Sequence, residues 1–318
     1  MRAASGLDIV AAGPATSVQG GPRLGARHLG VPWSGAADAL SLALANRLVG
    51  NAPDEAGLEV PFGGLTVRTR TDLTLAVTGG AAPVRVDGVP APPHESLTCR
   101  RGAVLEIGAV RTGLRAYLAA AGGFALPAVL GSVSTYLPAG LGGVEGRVLR
   151  GGDALPLCAP RVVPPRRTPD RFRPPISDAA VLRAVLSAEA NLLTAEGRVR
   201  LLSERFTVAP LSDRMGLRLS GVVIDLVPRA SEVASAAVFP GTVQLPPGGG
   251  PILLGPDAQT TGGYPRVLSV LSCDLHLAGQ LRPGATVRFY PRTPEEGADD
   301  VRAKVALWQD WLGPSWRG

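Results

Sequence analysis

Glycine and proline interrupt the apolar sequence at short intervals, and this rhythm constrains the fold more than any other feature. The chain has 318 residues, of which 41 are glycine and 30 are proline. Both residues destabilise the interior of a helix, whereas short strands joined by turns accommodate them. The sequence therefore predicts a mostly β protein built from barrels or sandwiches. A chain of this length is too long for a single hydrophobic core and is typical of two domains.

Several strands can be placed from short apolar runs bounded by turn residues. An Asp-Gly pair at positions 87 and 88 predicts a tight hairpin turn. The run that starts at position 115 suits a helix or a strand by propensity, but the two glycines that follow it favour a strand. The strands predicted in the first half of the chain are residues 67–71, 73–78, 83–86, 96–99, 104–107 and 115–121.

Three segments show the spacing of an amphipathic helix, namely residues 37–49, 188–202 and 299–312. In the first of them, Asp38 lies near the start and a Gly-Asn pair follows the end, which are common start and stop signals. We therefore expect a few short helices in a mostly β chain.

A boundary between domains is predicted at residues 159–175, which are rich in proline and arginine. Such a segment pairs poorly as a central strand and cannot continue a helix. We interpret it as a linker between an N-terminal domain of residues 1–158 and a C-terminal domain of residues 176–318 that ends with a helix.

The net charge of +6 does not point to nucleic acid. The basic residues are scattered, and aromatic side chains are too few for a stacking platform. No apolar run approaches the roughly 18 residues that span a bilayer, and the N-terminus lacks the apolar core of a secretion signal. We therefore expect a cytoplasmic protein without nucleic-acid or membrane partners.

Residue usage also disfavours several cofactor chemistries. Lys304 is the sole lysine, so we expect neither a Schiff base nor a covalently attached biotin in this chain. The cysteines lie far apart, and His28, His94 and His276 lack the spacing of metal ligands, so no metal site is predicted. The sequence has no Gly-x-Ser-x-Gly elbow and no phosphate loop ending in Gly-Lys-Ser or Gly-Lys-Thr.

The strongest candidate for a binding site is the segment Gln-Thr-Thr-Gly-Gly-Tyr-Pro at residues 259–265. Two apolar runs that look like buried strands flank it, so a scaffold holds both ends of the loop. An amide, two hydroxyls and freely approachable backbone suit a small polar ligand or an oxyanion. The candidate residues of this loop are Gln259, Thr260, Thr261, Gly262, Gly263 and Tyr264.

Other polar groups have both a structural and a functional interpretation. Ser34 or Asp38 could cap the helix that follows or bind a ligand at its N-terminus. Asp213 and Arg214 are neighbours in a turn, where they could form a local salt bridge or clamp a substrate. His28 is the histidine best placed for a site, because it adjoins a Gly-Val-Pro turn.

Five ordered segments resemble a known family. It is the family that contains the C subunit of bacterial ATP-dependent 5-oxoprolinase, also called allophanate hydrolase subunit 2, and the matching part of the carboxyltransferase domain of urea amidolyase. The segments are His28-Leu-Gly-Val-Pro-Trp-Ser-Gly-Ala-Ala-Asp38, Ala45-Asn-Arg-Leu-Val-Gly-Asn51, Ser212-Asp-Arg-Met-Gly-Leu-Arg-Leu219, Pro240-Gly-Thr-Val-Gln-Leu-Pro246 and Gln259-Thr-Thr-Gly-Gly-Tyr-Pro265.

The resemblance implies two cyclophilin-like β-barrel domains and a hetero-oligomer with A and B subunits, the second of which is related to this chain. The implied reaction is an ATP-dependent hydrolysis, in which the complex binds ATP and opens the lactam of 5-oxo-L-proline to L-glutamate. Two alternatives stay open. One is carboxyl transfer from biotin on a separate carrier to a ureido acceptor, and the other is a non-catalytic module that antagonises a kinase inhibitor.

The resemblance also suggests roles for the candidate residues, since an amide or ureido substrate gathers negative charge on oxygen as it reacts. We expect Asp38 or Asp213 to hold the arginine of the site. The chain departs from the family pattern at Gly20, Ala37 and Leu217, where an aspartate, a methionine and a tyrosine are common. The residues expected in catalysis are Arg214, Thr260 and Thr261, and those expected in substrate binding are Gln259, Gly262, Gly263, Tyr264, Ser34, Asp38, Asp213 and His28.

Overall fold

The computed structural model describes residues 5–228 and 233–317, which form two compact units. The first unit contains the described residues up to Leu24 together with Ser34–Ile176 and Trp308–Arg317. The second unit contains Gly25–Trp33 and the described residues of Ser177–Leu307.

The first unit consists of two antiparallel sheets around one apolar core. One sheet has six strands in the order β11-β1-β4-β9-β6-β7, and the other has five in the order β2-β3-β10-β5-β8. Fully buried side chains from both sheets, such as Leu7 and Leu58, meet in this core. The strands are β1 (Gly6–Ala11), β2 (Ser17–Gln19), β3 (Gly57–Pro61), β4 (Leu65–Thr69), β5 (Leu73–Ala81), β6 (Val84–Val86), β7 (Val89–Ala91), β8 (Ser96–Cys99), β9 (Val104–Ile107), β10 (Thr112–Ala120) and β11 (Ala154–Pro156).

The hairpin predicted at positions 87 and 88 is confirmed. Val86 of β6 pairs with Val89 of β7, and the two residues between them, Asp87 and Gly88, have φ angles of 51° and 78°. Positive φ at both positions is typical of a type I′ turn, whose twist matches that of the flanking strands. The run from position 115 is a strand as well, since it forms most of β10.

The second unit is a closed barrel of seven strands in the order β12-β19-β16-β17-β14-β13-β20, with a separate ribbon of β15 and β18. The prediction of a mostly β chain is therefore confirmed. Parallel pairing of β12 with β20 completes the barrel. The strands are β12 (Ala179–Leu186), β13 (Phe206–Val208), β14 (Gly216–Ser220), β15 (Ala236–Ala237), β16 (Thr242–Gln244), β17 (Ile252–Leu254), β18 (Thr261–Gly262), β19 (Arg266–Val270) and β20 (Thr286–Arg292).

The helices of the described residues are α1 (Ala39–Val49), α2 (Ala195–Ser203), α3 (Leu275–Ala278) and α4 (Pro294–Leu312). The start of α4 differs from the prediction, because a capping box begins the helix earlier. The backbone N–H of Glu296 donates to Thr293 Oγ1 over 3.2 Å, and the N–H of Thr293 donates to Glu296 Oε2 over 2.9 Å. None of the helices in the described ranges is both long and apolar enough to cross a bilayer.

The proline-rich segment 159–175 lies against the first unit. It runs beside β8, where the N–H of Ser96 donates to the carbonyl of Arg166 over 2.9 Å and the N–H of Thr168 donates to that of His94 over 3.0 Å. Val163 and Phe172 of the segment are buried. The segment therefore contributes both hydrogen bonds and apolar contacts to the first unit.

His94 makes the stability of the fold depend on pH. Burial, together with the charge of Arg173, lowers the pKa of His94 from 6.5 to about 4. The unfolded chain therefore takes up a proton near pH 6.5, whereas the folded chain does so only near pH 4. We expect the free energy of unfolding to fall by on the order of 3 kcal/mol between about pH 7 and pH 4.

Chemical denaturation of His94→Asn across this pH range tests the expectation, because asparagine tolerates the φ of 62° at this position. The pH dependence should be flatter in His94→Asn than in the parent chain. The matched control is His28→Asn, because the side chain of His28 is exposed. This variant should retain the full pH dependence of the parent chain. An unchanged slope in His94→Asn contradicts this assignment.

Candidate functional site

The segment 259–265 is one arm of a short β ribbon in the second unit. Its residues Thr261 and Gly262 form β18, which pairs with Ala237 and Ala236 of β15. Two-residue strands carry no periodicity, so the sequence did not reveal this ribbon. Thr261, Gly263 and Tyr264 are exposed, whereas Gln259, Thr260 and Gly262 are half-buried. The segment is therefore held in shape while part of it faces solvent.

A buried side-chain amide holds the bend of this segment by hydrogen bonds. Gln244 on β16 is 1% exposed, and its Oε1 accepts a hydrogen bond of 3.2 Å from Gln259 Nε2. Its Nε2 donates to the carbonyl of Tyr264 over 3.4 Å. A Cβ at Gly262 would lie 2.4 Å from this Nε2, so only glycine fits there without moving the amide. Gln244 therefore connects two of the sequence segments that carry the family resemblance.

The two threonine hydroxyls of the segment are available to a ligand. Neither Thr260 Oγ1 nor Thr261 Oγ1 bonds to any part of the chain that the structure describes. The main chain of Thr260, in contrast, is fixed, since its carbonyl accepts from the N–H of Val238 over 3.2 Å and from Arg27 Nη2 over 3.2 Å. A rigid backbone with free hydroxyls is the arrangement that oxyanion stabilisation requires.

Arg27, which the sequence analysis did not single out, also contacts the ribbon. Its Nη2 donates to the carbonyls of Val238 and Thr260, at the end of the ribbon. Its guanidinium carbon lies 5.4 Å from the ring centroid of Trp33 and 4.6 Å from that of Phe239. Val238 and Thr260 are 211 and 233 positions away from Arg27 in sequence, so the sequence does not reveal these contacts. The sequence pointed to this region only through the neighbouring His28.

Arg214 forms an ion pair with Asp257, another residue that the sequence analysis did not single out. Arg214 Nε lies 2.7 Å from Asp257 Oδ2, and Nη2 lies 3.2 Å from Oδ1. Asp257 is 3% exposed. The expectation that Asp213 holds the arginine is wrong, because Asp213 Oδ1 instead accepts from the N–H groups of Met215 and Gly216 over 2.8 and 3.2 Å. Asp213 thus shapes the turn that carries Arg214.

In the first unit, Asp38 is the N-cap of α1. Its Oδ1 accepts from the N–H of Ser41 over 2.8 Å, and its Oδ2 accepts from Ser41 Oγ over 2.6 Å. Ser34 is 4% exposed and has a φ of 53°, a left-handed conformation that a serine seldom adopts. Its Oγ has no hydrogen-bond partner among the described residues. Ser34 and Asp38 are thus enclosed in the first unit, apart in sequence from the ribbon.

A buried polar centre lies next to this cap. Glu59 Oε2 accepts from the N–H of Ala37 over 2.8 Å and from the hydroxyl of Tyr117 over 2.8 Å, while Oε1 accepts from Arg115 Nε over 3.1 Å. The hydroxyl of Tyr117 also accepts from the N–H of Asp38 over 2.8 Å. Burial, and then the charges of Glu59 and Asp38, raise the pKa of Tyr117 well above its usual value. Tyr117 therefore stays protonated and acts as a bridge.

The comparisons with known proteins agree on one family. The family model "Carboxyltransferase domain, subdomain A and B" matches residues 29–291. The chain belongs to this carboxyltransferase-domain family. The matched range includes Ser34, Asp38, Arg214 and the segment 259–265, whereas Arg27 and His28 precede it.

Curated relatives and a solved structure extend this result. The chain is 35% identical over 307 residues to the 5-oxoprolinase C subunit of Haemophilus influenzae, covering 96% of this chain and 97% of that one. It is 31% identical to urea amidolyase of Saccharomyces cerevisiae, covering 91% of this chain but 17% of that one. The crystal structure of Kluyveromyces lactis urea carboxylase matches with a TM-score of 0.92 at 26% identity, over 99% of this chain and 30% of that chain.

Within this carboxyltransferase-domain protein, Tyr117→Phe tests the buried polar centre. The change removes the hydroxyl that donates to Glu59 and accepts from Asp38 N–H, so two buried polar groups lose a partner. We expect the free energy of unfolding to fall by about 1–3 kcal/mol. Urea denaturation measures it, with Tyr290→Phe as the control because Tyr290 is 50% exposed. Equal losses in the two variants would contradict the arrangement described here.

A double-mutant cycle tests the Arg214–Asp257 pair. Arg214→Ala leaves the buried carboxylate of Asp257 without this partner, so we expect a loss of about 3–5 kcal/mol. Adding Asp257→Ala should restore part of that loss, because the buried charge is then gone. Arg218→Ala is the control, since Arg218 is an exposed arginine on the adjacent β14 and should change stability by less than about 0.5 kcal/mol. Purely additive effects would show that the pair is not coupled.

Proposed function

We propose that this chain is one component of an ATP-dependent 5-oxoprolinase, which opens the lactam of 5-oxo-L-proline to L-glutamate together with an A subunit and with a B subunit related to this chain. The observation that carries the proposal is the similarity to 5-oxoprolinase C subunits. The chain is 35% identical to the subunit from Haemophilus influenzae over 97% of that protein, and it is 31% identical to urea amidolyase over 17% of that protein. A second 5-oxoprolinase C subunit, from Escherichia coli, is 35% identical and is covered over 92% of its length.

The ribbon of the second unit supplies groups that suit this reaction. When water attacks the lactam carbonyl, negative charge gathers on its oxygen, and positioned hydroxyl donors stabilise that charge. Thr260 and Thr261 carry hydroxyls that no described residue binds, and they lie on the fixed backbone. Gln259 Nε2 donates a hydrogen bond to Gln244, so Gln259 Oε1 can accept a hydrogen bond from the N–H of the lactam. The exposed ring of Tyr264 can pack against the methylene groups of the substrate.

The sequence analysis expected Arg214 to take part in catalysis, whereas this proposal gives it a positioning role. Its charge is compensated by Asp257, so it is less suited to take up charge from a substrate than an unpaired guanidinium would be. The pair joins the turn before β14 to the segment after β17, two residues before Gln259. We therefore infer that Arg214 positions the start of the site segment.

The helix N-termini in the described residues fit ATP phosphates poorly. A phosphate needs free N–H groups and a positive potential at the first turn of a helix. In α1 and α3 the N-caps are Asp38 and Asp274, in α2 the first turn contains Glu196, and in α4 it contains Glu295 and Glu296. Each of these carboxylates repels a phosphate. We accordingly assign the ATP site of the complex to one of the partner proteins.

A specific observation favours a second candidate, which is carboxyl transfer to a ureido acceptor. The fold agrees with that of urea carboxylase over 99% of this chain. The same donors would face the oxygen of a ureido group, and the biotin would come on a separate carrier, since the sole lysine of this chain is Lys304. This reaction would need bicarbonate and a biotinylated carrier protein, which the lactam reaction does not.

Reconstitution with the A and B subunits tests the proposal. The complex should form glutamate from 5-oxo-L-proline when ATP is present, and Thr260→Val and Thr261→Val should each lower kcat at least about tenfold by removing one donor. Thr98→Val is the matched control, because Thr98 is exposed on β8 and lies outside the ribbon's unit. Glutamate formation measured by an enzyme-coupled assay gives the rates.

The other outcomes separate the candidates. Activity that requires urea, bicarbonate and a biotinylated carrier would replace the lactam reaction with carboxyl transfer. Tight association with the partners, but no turnover of either substrate, would favour a regulatory module. Unchanged rates in both threonine variants would place the oxyanion donors elsewhere in the complex.

A further inference from the structure

Arg27 differs from the other half-buried arginines of the second unit in its charge balance. Within the described ranges, each of the others lies within ion-pair distance of a carboxylate, whereas Arg27 does not. The paired arginines are Arg183 with Asp274, Arg200 with Glu196, Arg214 with Asp257, Arg266 with Glu189, Arg282 with Asp178 and Arg292 with Asp300. Among its described residues, this unit therefore pairs each half-buried arginine with a carboxylate except Arg27, which lies beside the candidate site.

Arg27 lies in apolar surroundings, and no carboxylate of the described residues pairs with its charge. Its guanidinium lies near the faces of Trp33 and Phe239, whose centroids are 5.6 Å apart with a tilt of 48°. Burial lowers the pKa of Arg27. A cation between two rings gains some cation–π stabilisation, but it loses hydration, and no carboxylate of the described residues offsets that loss.

One edge of this guanidinium also lacks an acceptor. Nη2 donates to the carbonyls of Val238 and Thr260, whereas Nη1 is buried and has no hydrogen-bond partner among the described residues. A buried donor on a charged group without an acceptor is costly. A carboxylate is the group that best satisfies a guanidinium, since it supplies both the acceptor oxygens and the opposite charge.

We propose that Arg27 recognises a carboxylate on the substrate, so that the site at residues 259–265 takes an acidic amide or lactam in preference to a neutral ureido compound. This inference rests on the proposed function and names its substrate class. Of the two candidate substrates, 5-oxo-L-proline carries a carboxylate and urea does not.

Arg27 and the hydroxyls of the site segment meet at Thr260. Arg27 is hydrogen-bonded to the carbonyl of Thr260, whose hydroxyl has no partner among the described residues and is assigned to the lactam oxygen. In 5-oxoproline the carboxylate and the lactam carbonyl flank the ring nitrogen on either side. The ring of Phe239 lies over the guanidinium and is 45% exposed, so we expect it to rotate aside when a carboxylate binds Nη1. The rings of Trp33 and Phe239 then provide apolar contacts for the substrate methylenes.

Binding to the isolated chain is the first test, because it does not depend on the partner subunits. Isothermal titration should show that the parent chain binds 5-oxo-L-proline at least about tenfold more tightly than 2-pyrrolidinone, the same lactam without the carboxylate. Arg27→Gln should abolish that preference, and Arg27→Lys, which keeps the charge, should retain part of it. Arg198→Gln is the matched control, since it removes one positive charge from an exposed position on α2.

Kinetics of the reconstituted complex are the second test. Arg27→Gln should raise KM for 5-oxo-L-proline at least about tenfold, with a smaller change in kcat, because it removes binding to a group that does not react. Thermal melting of each variant shows whether the ribbon still folds without the hydrogen bonds to Val238 and Thr260. Partial rescue of KM by Arg27→Lys separates recognition of charge from a purely structural effect.

The inference and the proposed function can fail separately. An inactive complex whose isolated chain still prefers the acidic lactam through Arg27 would refute the reaction and retain the inference. An active complex in which Arg27→Gln changes neither KM nor the preference would refute the inference and retain the reaction. Binding that is absent or equal for both lactams, in an inactive complex, would refute both.

Discussion

The amide of Gln244 is the interaction on which the candidate site depends. It lies under the bend of the site segment, takes one hydrogen bond from Gln259 and gives one to the main chain of Tyr264. Both contacts join the segment to a strand of the closed barrel, whose two edges are paired with neighbouring strands. The site thereby inherits the rigidity of the barrel, and the arrangement requires a glycine at position 262, where a side chain would displace the amide.

The parts of the structure that the sequence could reveal are those set by local rules. The alternation of short strands, the hairpin at Asp87 and Gly88 and the helix that follows Asp38 all depend on neighbours within a few residues. The contacts of Arg27 with Val238 and of Arg214 with Asp257 join segments that are 211 and 43 positions apart, and a single sequence has no signal for such pairs. The segment 259–265 was recognisable by composition, while its partner groups were not.

Family membership and substrate choice rest on different kinds of observation. The carboxyltransferase domain occurs both in proteins named for a lactam and in proteins named for urea, so the fold does not distinguish between them. The two substrates differ in charge, and charged groups beside the site can distinguish between them. An arginine that no carboxylate among the described residues of its own unit neutralises is a physical reason to prefer an anionic substrate.

The proline-rich segment beside β8 has a consequence for how the protein behaves at high concentration. β8 is the last strand of the five-stranded sheet, and such a border exposes main-chain groups that can recruit a strand from another molecule. The segment occupies part of this border, and its residues Pro164, Pro165 and Pro169 have no N–H to offer a newcomer. The segment thereby protects part of this edge of a mostly β chain from self-association into fibrils.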